Sequence, residues 1–184
     1  FVRRFYQEAS AAAKLVHPNV VQIYFIGEQS GNHFFAMQYV AGETLDQLLA
    51  RRKSLSVAET VAILEQALEG LAAAHRRSLV HRDIKPGNIL IDAENRRALL
   101  ADFGLVKSLA ESGKFTATGV VMGTADYISP EQGRGHPVDH RSDLYSLGVV
   151  AYQMLSGSLP FVADSPTAMI FQHVYERPRP LREV

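Results

Sequence analysis

LVHRDIKPGNILID, residues 79–92, places charged and polar side chains between two apolar ends. Its middle holds four side chains that carry a charge or an amide group, namely Arg82, Asp83, Lys85 and Asn88. Buried segments rarely enclose so many polar groups unless those groups bind a ligand or do chemistry. The stretch therefore predicts a functional loop held between two buried segments.

A second carboxylate, Asp102, follows this loop after two short strand patterns, at the start of DFG. We expect Asn88 and Asp102 to supply oxygen ligands to Mg²⁺, a cation that prefers oxygen and bridges substrate phosphates. Asp83 is placed to receive a proton from an attacking hydroxyl, and Lys85 to neutralise charge on a phosphoryl group. Phosphoryl transfer depends on this combination of positioning, metal and charge compensation. Each fragment alone could be ordinary turn chemistry, but the order and spacing together are a strong signal.

The remaining patterns predict a mixed α+β chain without an internal repeat. The predicted elements are a helix over 1–15, a hairpin of VVQIYFIG and NHFFAMQYV around EQSG, helices in TLDQLLARRK and SVAETVAILEQALEGLAAAHRR, strands NILID and ALLADF around AENR, and a helix in DLYSLGVVAYQMLSG. Ser56 and Glu59 form a capping box at the start of the long helix. The last helix is apolar nearly all round, which predicts that it is buried.

Composition excludes several classes of function. The chain has 184 residues, a formal net charge of zero, 47% hydrophobic residues and no cysteine. Balanced charge argues against nucleic acid or an anionic membrane as the main partner, and the lack of cysteine excludes disulfides and thiolate metal sites. The apolar runs fall short of the roughly 20 residues that span a bilayer. We expect a cytoplasmic location, and a first residue other than Met leads us to expect further sequence upstream.

Three motifs together resemble those of serine/threonine protein kinases, most closely the eukaryotic-like kinases of bacteria. They are H-R-D-x-x-x-x-N at 81–88, DFG at 102–104 and GTADYISPEQ at 123–132. The resemblance covers essentially the whole chain and implies a protein-kinase-like α+β fold, with part of an N-lobe at 1–40 (helix C, two strands and the hinge) and a C-lobe at 41–184. Within the C-lobe it implies a catalytic loop at 81–88, an activation segment at 102–131, helix F at 139–156 and a helix G region.

The resemblance also implies the substrates and the residues that handle them. ATP, with Mg²⁺ or Mn²⁺, would phosphorylate Ser and Thr hydroxyls of protein substrates, among them the kinase itself acting in trans. The implied transfer residues are Asp83 as base, Lys85 on the γ-phosphate, Thr124 bonded to both, and Asn88 and Asp102 on the metal. The implied nucleotide-pocket residues are Met37 as gatekeeper, the backbone of Gln38 and Val40 on the adenine edge, Leu90 as the floor, and Glu8 of helix C.

A further set of implied roles is structural or regulatory. His81 and Phe103 would stack in a spine with Ile23 and Ala12, so that His81 is a packed residue and not a base. Asp143 would hold the catalytic-loop backbone from beneath. Arg82 would pair with a phosphate added to Thr116 or Thr118, with inert loop threonines as the alternative. Glu131 belongs to the SPE sequence at 129–131, in which Ser replaces the usual Ala.

Two kinase motifs do not occur in this sequence, namely G-x-G-x-x-G and V-A-I-K. We therefore expect a partial kinase domain, in which Glu8 lacks its lysine and Glu131 its arginine. Such a chain should have little activity alone and should expose apolar faces of its small lobe. The protein it comes from could carry a C-terminal membrane anchor outside this sequence. The alternatives are a pseudokinase scaffold, against which the intact Asp83, Asn88 and Asp102 argue, and a small-molecule kinase, which needs no docking segment such as GTADYISPE.

Overall fold

The computed structural model describes residues 13–29, 32–103 and 125–184. The predicted N-terminal helix lies outside them except for its last residues, as does the activation segment from residue 104 to residue 124. The described elements are the strands β1 (Ile23–Gln29), β2 (Asn32–Met37), β3 (Gly42–Thr44), β4 (Ile89–Asp92) and β5 (Ala98–Leu100), and the helices α1 (Leu45–Arg52), α2 (Val57–His75), α3 (Pro130–Gly133), α4 (His140–Ser156) and α5 (Pro166–Tyr175). Short 3-10 turns cover Pro86–Asn88, Ala125–Tyr127 and Leu181–Glu183.

Strands β1 and β2 form the predicted antiparallel hairpin. The pairing reaches Gln29 opposite Asn32, so both Glu28 and Gln29 belong to strand β1. The connection is therefore shorter than the predicted EQSG turn, because strand pairing continues into its first half. The register shifts between Ile23 and Phe25, where the ladder is irregular.

A second antiparallel sheet has the order β3-β4-β5. The predicted turn at AENR joins β4 to β5, and the Asp92 carboxylate accepts the backbone N–H of Glu94 at 2.8 Å. Arg96 takes a left-handed conformation there, with φ of 59°. A parallel bridge between Val20 and Leu100 connects this sheet to the segment that enters the hairpin.

Side-chain caps determine where the helices begin. The predicted capping box at α2 is confirmed: the Ser56 hydroxyl accepts the Glu59 N–H, and the Glu59 carboxylate accepts the Ser56 N–H. Thr44 and Ser129 form equivalent boxes with Gln47 and Gln132. Each box satisfies backbone donors that the first turn of a helix leaves without partners.

Helix α4 begins at His140, capped by Asp139. This start is three residues before the one that the pattern DLYSLGVVAYQMLSG predicts, and one residue after the start of helix F that the resemblance implies. Its burial is also one-sided, because Leu144 is 44% exposed while Ser142 and Asp143 are only 1% exposed. Both buried polar residues have partners: Asp143 bonds the loop at 81–88, and Ser142 bonds Glu131.

The main core lies between the second sheet and helices α1, α2 and α4. Its fully buried members include Leu45, Leu71, Ile89, Leu100 and Val150. Within the described residues, no helix has both the length and the apolar character needed to cross a membrane.

Candidate active site

The backbone of the catalytic loop is bound to the start of helix α4. The Asp143 carboxylate, which is 1% exposed, accepts the His81 N–H at 2.8 Å and the Arg82 N–H at 2.7 Å. Its Oδ2 is also 2.7 Å from Nε2 of His75 at the end of α2. Arg82 has a positive φ of 65°, a conformation that this carboxylate stabilises by accepting the amide beside it. Asp143 therefore binds two consecutive backbone amides of the loop.

The His81 ring joins the catalytic loop to the segment before DFG. Its Nε2–H donates to the Ala101 carbonyl at 2.9 Å, and its Nδ1 accepts the Asp83 N–H at 3.3 Å. The ring also lies 4.6 Å from that of Phe103, centroid to centroid. Burial lowers the pKa of His81, against the raising effect of nearby carboxylates such as Asp143. The imidazole is thus a neutral, buried link between two loops.

Three side chains meet at the centre of the loop. The Lys85 Nζ lies 3.0 Å from the Asp83 Oδ2. The Asn88 Nδ2 donates to the Asp83 carbonyl at 2.8 Å and to its Oδ2 at 3.1 Å. Because the amide N–H groups of Asn88 donate to Asp83, the amide oxygen of Asn88 is the atom suited to bind a metal.

Asp102 is brought beside Asn88 by the backbone. The Ala101 N–H donates to the Asn88 carbonyl at 2.9 Å, and Asp102 follows with a left-handed φ of 58° and an exposed side chain. Among the described residues, no group of three or more His, Cys, Asp or Glu side chains could hold a metal. One carboxylate and one amide oxygen suit Mg²⁺, because that ion completes its shell with water and substrate phosphates.

A pocket beside Asp102 includes one of the residues expected to bind adenine, Met37. Met37 lines it together with Asp102 and Phe103, and the remaining lining residues are Val20, Val21, Ile23 and Phe35. Val40 and Leu90 pack together against Val21, Leu99 and Ala101. The Gln38 N–H is already bonded to the Gln22 carbonyl at 2.8 Å, so its carbonyl is the edge group suited to a base.

The segment after residue 124 is also tied to the catalytic loop. The Gln132 Nε2 donates to the Arg82 carbonyl at 2.9 Å. The Tyr127 hydroxyl donates to Gln153 at 2.7 Å, and its carbonyl accepts the Ser146 hydroxyl at 2.7 Å. Segment and loop are therefore held by one helix, α4.

Glu131 has a hydroxyl partner, Ser142, in the described part of the chain. Partial burial acts to raise the pKa of this carboxyl, but hydrogen bonds from Ser142, from backbone and from Ser129 outweigh it and leave the pKa below its usual value. Sequence reasoning missed this contact, together with His75 and Gln132, because contacts between distant residues leave no local pattern.

Five residues that the sequence analysis singled out lie outside the described residues. They are Glu8, Ala12, Thr116, Thr118 and Thr124. Their implied roles remain predictions.

Comparison with known proteins agrees with this geometry. The model of the protein kinase domain family matches residues 2–181. The chain is 41% identical to the serine/threonine-protein kinase PknB of Mycobacterium leprae, over 98% of this chain and 29% of that protein. It is likewise 41% identical to the serine/threonine-protein kinase pkn3 of Myxococcus xanthus, over 97% of this chain and 34% of that protein. The chain thus spans about a third of the length of these curated relatives.

A solved structure supports the fold directly. The chain superimposes on the kinase domain of Mycobacterium tuberculosis PknI, crystallised as a double mutant, with a TM-score of 0.76 and 30% identity. The match covers 99% of this chain and 64% of that one. The predicted α+β, kinase-like architecture is confirmed.

Proposed function

This chain belongs to the protein kinase domain family, and from that premise we propose that it provides the phosphoryl-transfer machinery of a serine/threonine protein kinase. The protein would move the γ-phosphate of ATP to Ser and Thr hydroxyls of protein substrates. We place the reaction in the cytoplasm, where ATP is supplied.

One observation carries the proposal. Asp83, Lys85 and Asn88 form a contact cluster on a loop whose backbone is bound by Asp143. Turn chemistry alone would not require a lysine, an amide and a carboxylate to converge, nor a buried carboxylate to support them from another helix. Phosphoryl transfer requires both a placed base and charge compensation.

Each side chain of this cluster would have its own task in the reaction. The Asp83 carboxylate would take the proton of the substrate hydroxyl as its oxygen bonds to the γ-phosphorus. The bond from that phosphorus to the β–γ bridging oxygen breaks, and ADP leaves with the electron pair. Lys85, 3.0 Å from Asp83, would neutralise the negative charge on the group in transfer.

Asn88 and Asp102 would hold the metal, through an amide oxygen and a carboxylate. When bound, Mg²⁺ or Mn²⁺ would offset charge on the ATP phosphates. The hydrogen bonds from Asn88 to Asp83 fix the amide plane, so its oxygen keeps one orientation. The carbonyl of Gln38 and the backbone of Val40 would meet the adenine edge, beside Met37 and Leu90.

Protein substrates, and not small molecules, fit the segment that follows residue 124. It is bound to the catalytic loop through Gln132 and Arg82, so a polypeptide lying on it would be next to Asp83. Thr124 would bond Asp83 and Lys85. A phosphate added to Thr116 or Thr118 by another copy would pair with Arg82.

Transfer of γ-labelled phosphate from ATP with Mg²⁺ to dephosphorylated casein tests this proposal in the full-length protein. Asp83→Asn should lower the rate about 10²–10⁴-fold, the usual contribution of a general base. Asp164→Asn, at an exposed aspartate of the same fold, is the matched control and should keep the wild-type rate. A wild type that binds ATP but labels no protein would support the scaffold alternative and overturn the proposal.

A further inference from the structure

His173 is a buried polar residue that the mechanism does not use. It lies on helix α5 and is 3% exposed. Its ring packs edge-on against Tyr145 of helix α4, at 5.8 Å between centroids, and against Phe161, at 4.8 Å. Burial lowers its pKa, which is only partly offset by a hydrogen bond to backbone. A polar ring in such a place needs partners for both nitrogens.

Both nitrogens of His173 have a partner. Nε2 lies 3.0 Å from the Asp126 carbonyl, and Nδ1 lies 2.9 Å from the Tyr145 hydroxyl. A carbonyl can only accept, so Nε2 carries the proton and Nδ1 accepts from the tyrosine. The contacts define a directed relay, Tyr145 O–H to His173 to the Asp126 carbonyl.

A similar pair of hydrogen bonds is found at the other end of the stretch between Ala101 and Asp126, at His81. There His81 accepts the Asp83 N–H at Nδ1 and donates from Nε2 to the Ala101 carbonyl. Two buried imidazoles with the same tautomer therefore each bind one carbonyl, one just before residues 102–125 and one just after them. His81 belongs to the catalytic loop, whereas His173 lies 92 positions further along the chain.

The other side-chain hydrogen bonds that the structure describes at this second end come from helix α4. They act on Tyr127, through Gln153 and Ser146. The carbonyl of Asp126 points instead to α5, so His173 fixes the peptide plane between Asp126 and Tyr127 from a second helix. Hydrogen bonds from two helices fix the orientation of this peptide plane, because a bond from only one helix would still allow the plane to rotate.

We propose that His173 is a positioning residue for protein substrates. It supports their binding by fixing the backbone of Ala125–Tyr127 beside the catalytic loop. The inference rests on the proposed function, because it takes that segment as part of the surface on which a polypeptide lies. His173 touches neither ATP nor the transferring group. Its loss should therefore weaken the protein substrate and leave nucleotide handling intact.

Steady-state kinetics of the full-length protein with casein and ATP provide the main test. His173→Phe keeps the ring and removes both hydrogen bonds, so the KM for casein should rise about tenfold, the effect of roughly one buried hydrogen bond. The KM for ATP and kcat at saturating casein should stay within about twofold. His173→Gln, which restores a donor near Nε2, should recover most of the casein KM.

Two further variants keep the test decisive. Tyr145→Phe removes only the hydroxyl and should raise the casein KM by a smaller factor, even if His173→Phe folds poorly. Phe171→Leu, at a 55% exposed position of the same helix, is the matched control and should leave both KM values unchanged. A casein KM unchanged in both His173→Phe and Tyr145→Phe would overturn the proposal.

Nitrogen NMR of the wild type separates this proposal from the proposed function. The His173 signals should show a neutral ring protonated at Nε2, and Tyr145→Phe should shift the Nδ1 signal. A ring protonated at Nδ1 would overturn the relay even in an active kinase. Conversely, a protein that shows the Nε2–H tautomer but has no kinase activity would confirm the hydrogen bonds of His173. It would overturn the proposed role of His173 toward protein substrates.

Discussion

The catalytic loop at 81–88 and the hairpin of β1 and β2 are supported very differently. The loop is hydrogen-bonded to three separate places. It donates to the Asp143 carboxylate and, through the His81 ring, to the Ala101 carbonyl, and it accepts from the Gln132 side chain. The hairpin instead exposes large apolar side chains, with Tyr24 at 68% and Phe25 at 57%. The loop is therefore held by contacts from Ala101, Gln132 and Asp143, none of which belongs to the hairpin.

The hairpin is attached to the rest of the molecule through a short junction before β1. Asn19 accepts the Leu100 N–H at 2.9 Å and donates from Nδ2 to the Ala98 carbonyl at 2.9 Å. The Val21 N–H donates to the Leu100 carbonyl, also at 2.9 Å. These bonds extend the second sheet, so the junction sets where the pocket residues Phe35 and Met37 lie relative to Asp102.

Loss of the Asp143 carboxylate should have the largest effect on the loop. Asp143→Ala leaves two buried backbone N–H groups and His75 without their acceptor, which should lower the free energy of unfolding by about 3 kcal/mol or more. Chemical denaturation measures this loss. Asp139→Ala removes an aspartate only four positions earlier that is an exposed cap, and its effect should be much smaller. If the two variants lost equal free energy of unfolding, the conclusion that Asp143 holds the loop would be contradicted.

A smaller effect is expected at the junction. A Cβ at Gly70 of helix α2 would lie 2.8 Å from the Asn19 carbonyl oxygen and 3.1 Å from a Leu100 methyl. Gly70→Ala should thus cost about 1–3 kcal/mol through overpacking and should weaken ATP binding by shifting the junction. Both changes follow from denaturation and nucleotide titration.

The matched control for this variant is Gly148→Ala in helix α4. An added Cβ there meets no atom within 4 Å, so the change should stabilise the protein by about 0.5–1 kcal/mol through helix propensity. If Gly70→Ala stabilised the protein as well, the close packing at the junction would be wrong.

The smallest effect concerns pH. Burial lowers the pKa of both His81 and His173 from an ordinary value of 6.5, so below pH 6.5 the unfolded chain binds more protons than the folded one. The contribution of the two neutral rings to the free energy of unfolding should therefore be fully present above pH 6.5. It should fall as the pH drops, by up to about 1.4 kcal/mol per pH unit for each ring. Denaturation at pH 5 to 7 measures the slope.

His173→Gln should reduce this slope, because one of the two buried rings no longer titrates. His136→Gln, at an exposed histidine, should leave it unchanged. Between pH 5 and 7 the carboxyl of Glu59 does not interfere, since a hydrogen bond from Arg52 lowers its pKa to about 2. A slope that His173→Gln does not alter would show that this ring is not buried in its neutral form.

Local patterns predicted the elements well. The capping box at Ser56 and the hairpin pairing follow from residues a few positions apart, and the motifs located Asp83, Asn88 and Asp102 on converging loops. The burial of helix α4 was misjudged, since a count of apolar residues does not reveal that Ser142 and Asp143 face inward while Leu144 faces water. Long-range polar partners decided that orientation.

The same reason explains the contacts that were missed. Gln132 bonds the Arg82 carbonyl across 50 positions, and His173 bonds the Asp126 carbonyl across 47. A single glutamine or histidine on an amphipathic helix has no neighbour in sequence that marks it as an anchor. Only the packing of α3 and α5 against the segment places these donors.

Amide hydrogen exchange, resolved by residue, is the most direct test of the central claim that the loop is held independently of the hairpin. The amides of His81 and Arg82, which are bound to Asp143, should exchange only through global unfolding. The paired amides of β1 and β2 should exchange orders of magnitude faster. Equal protection of the two regions, or rapid exchange at His81 and Arg82, would contradict it.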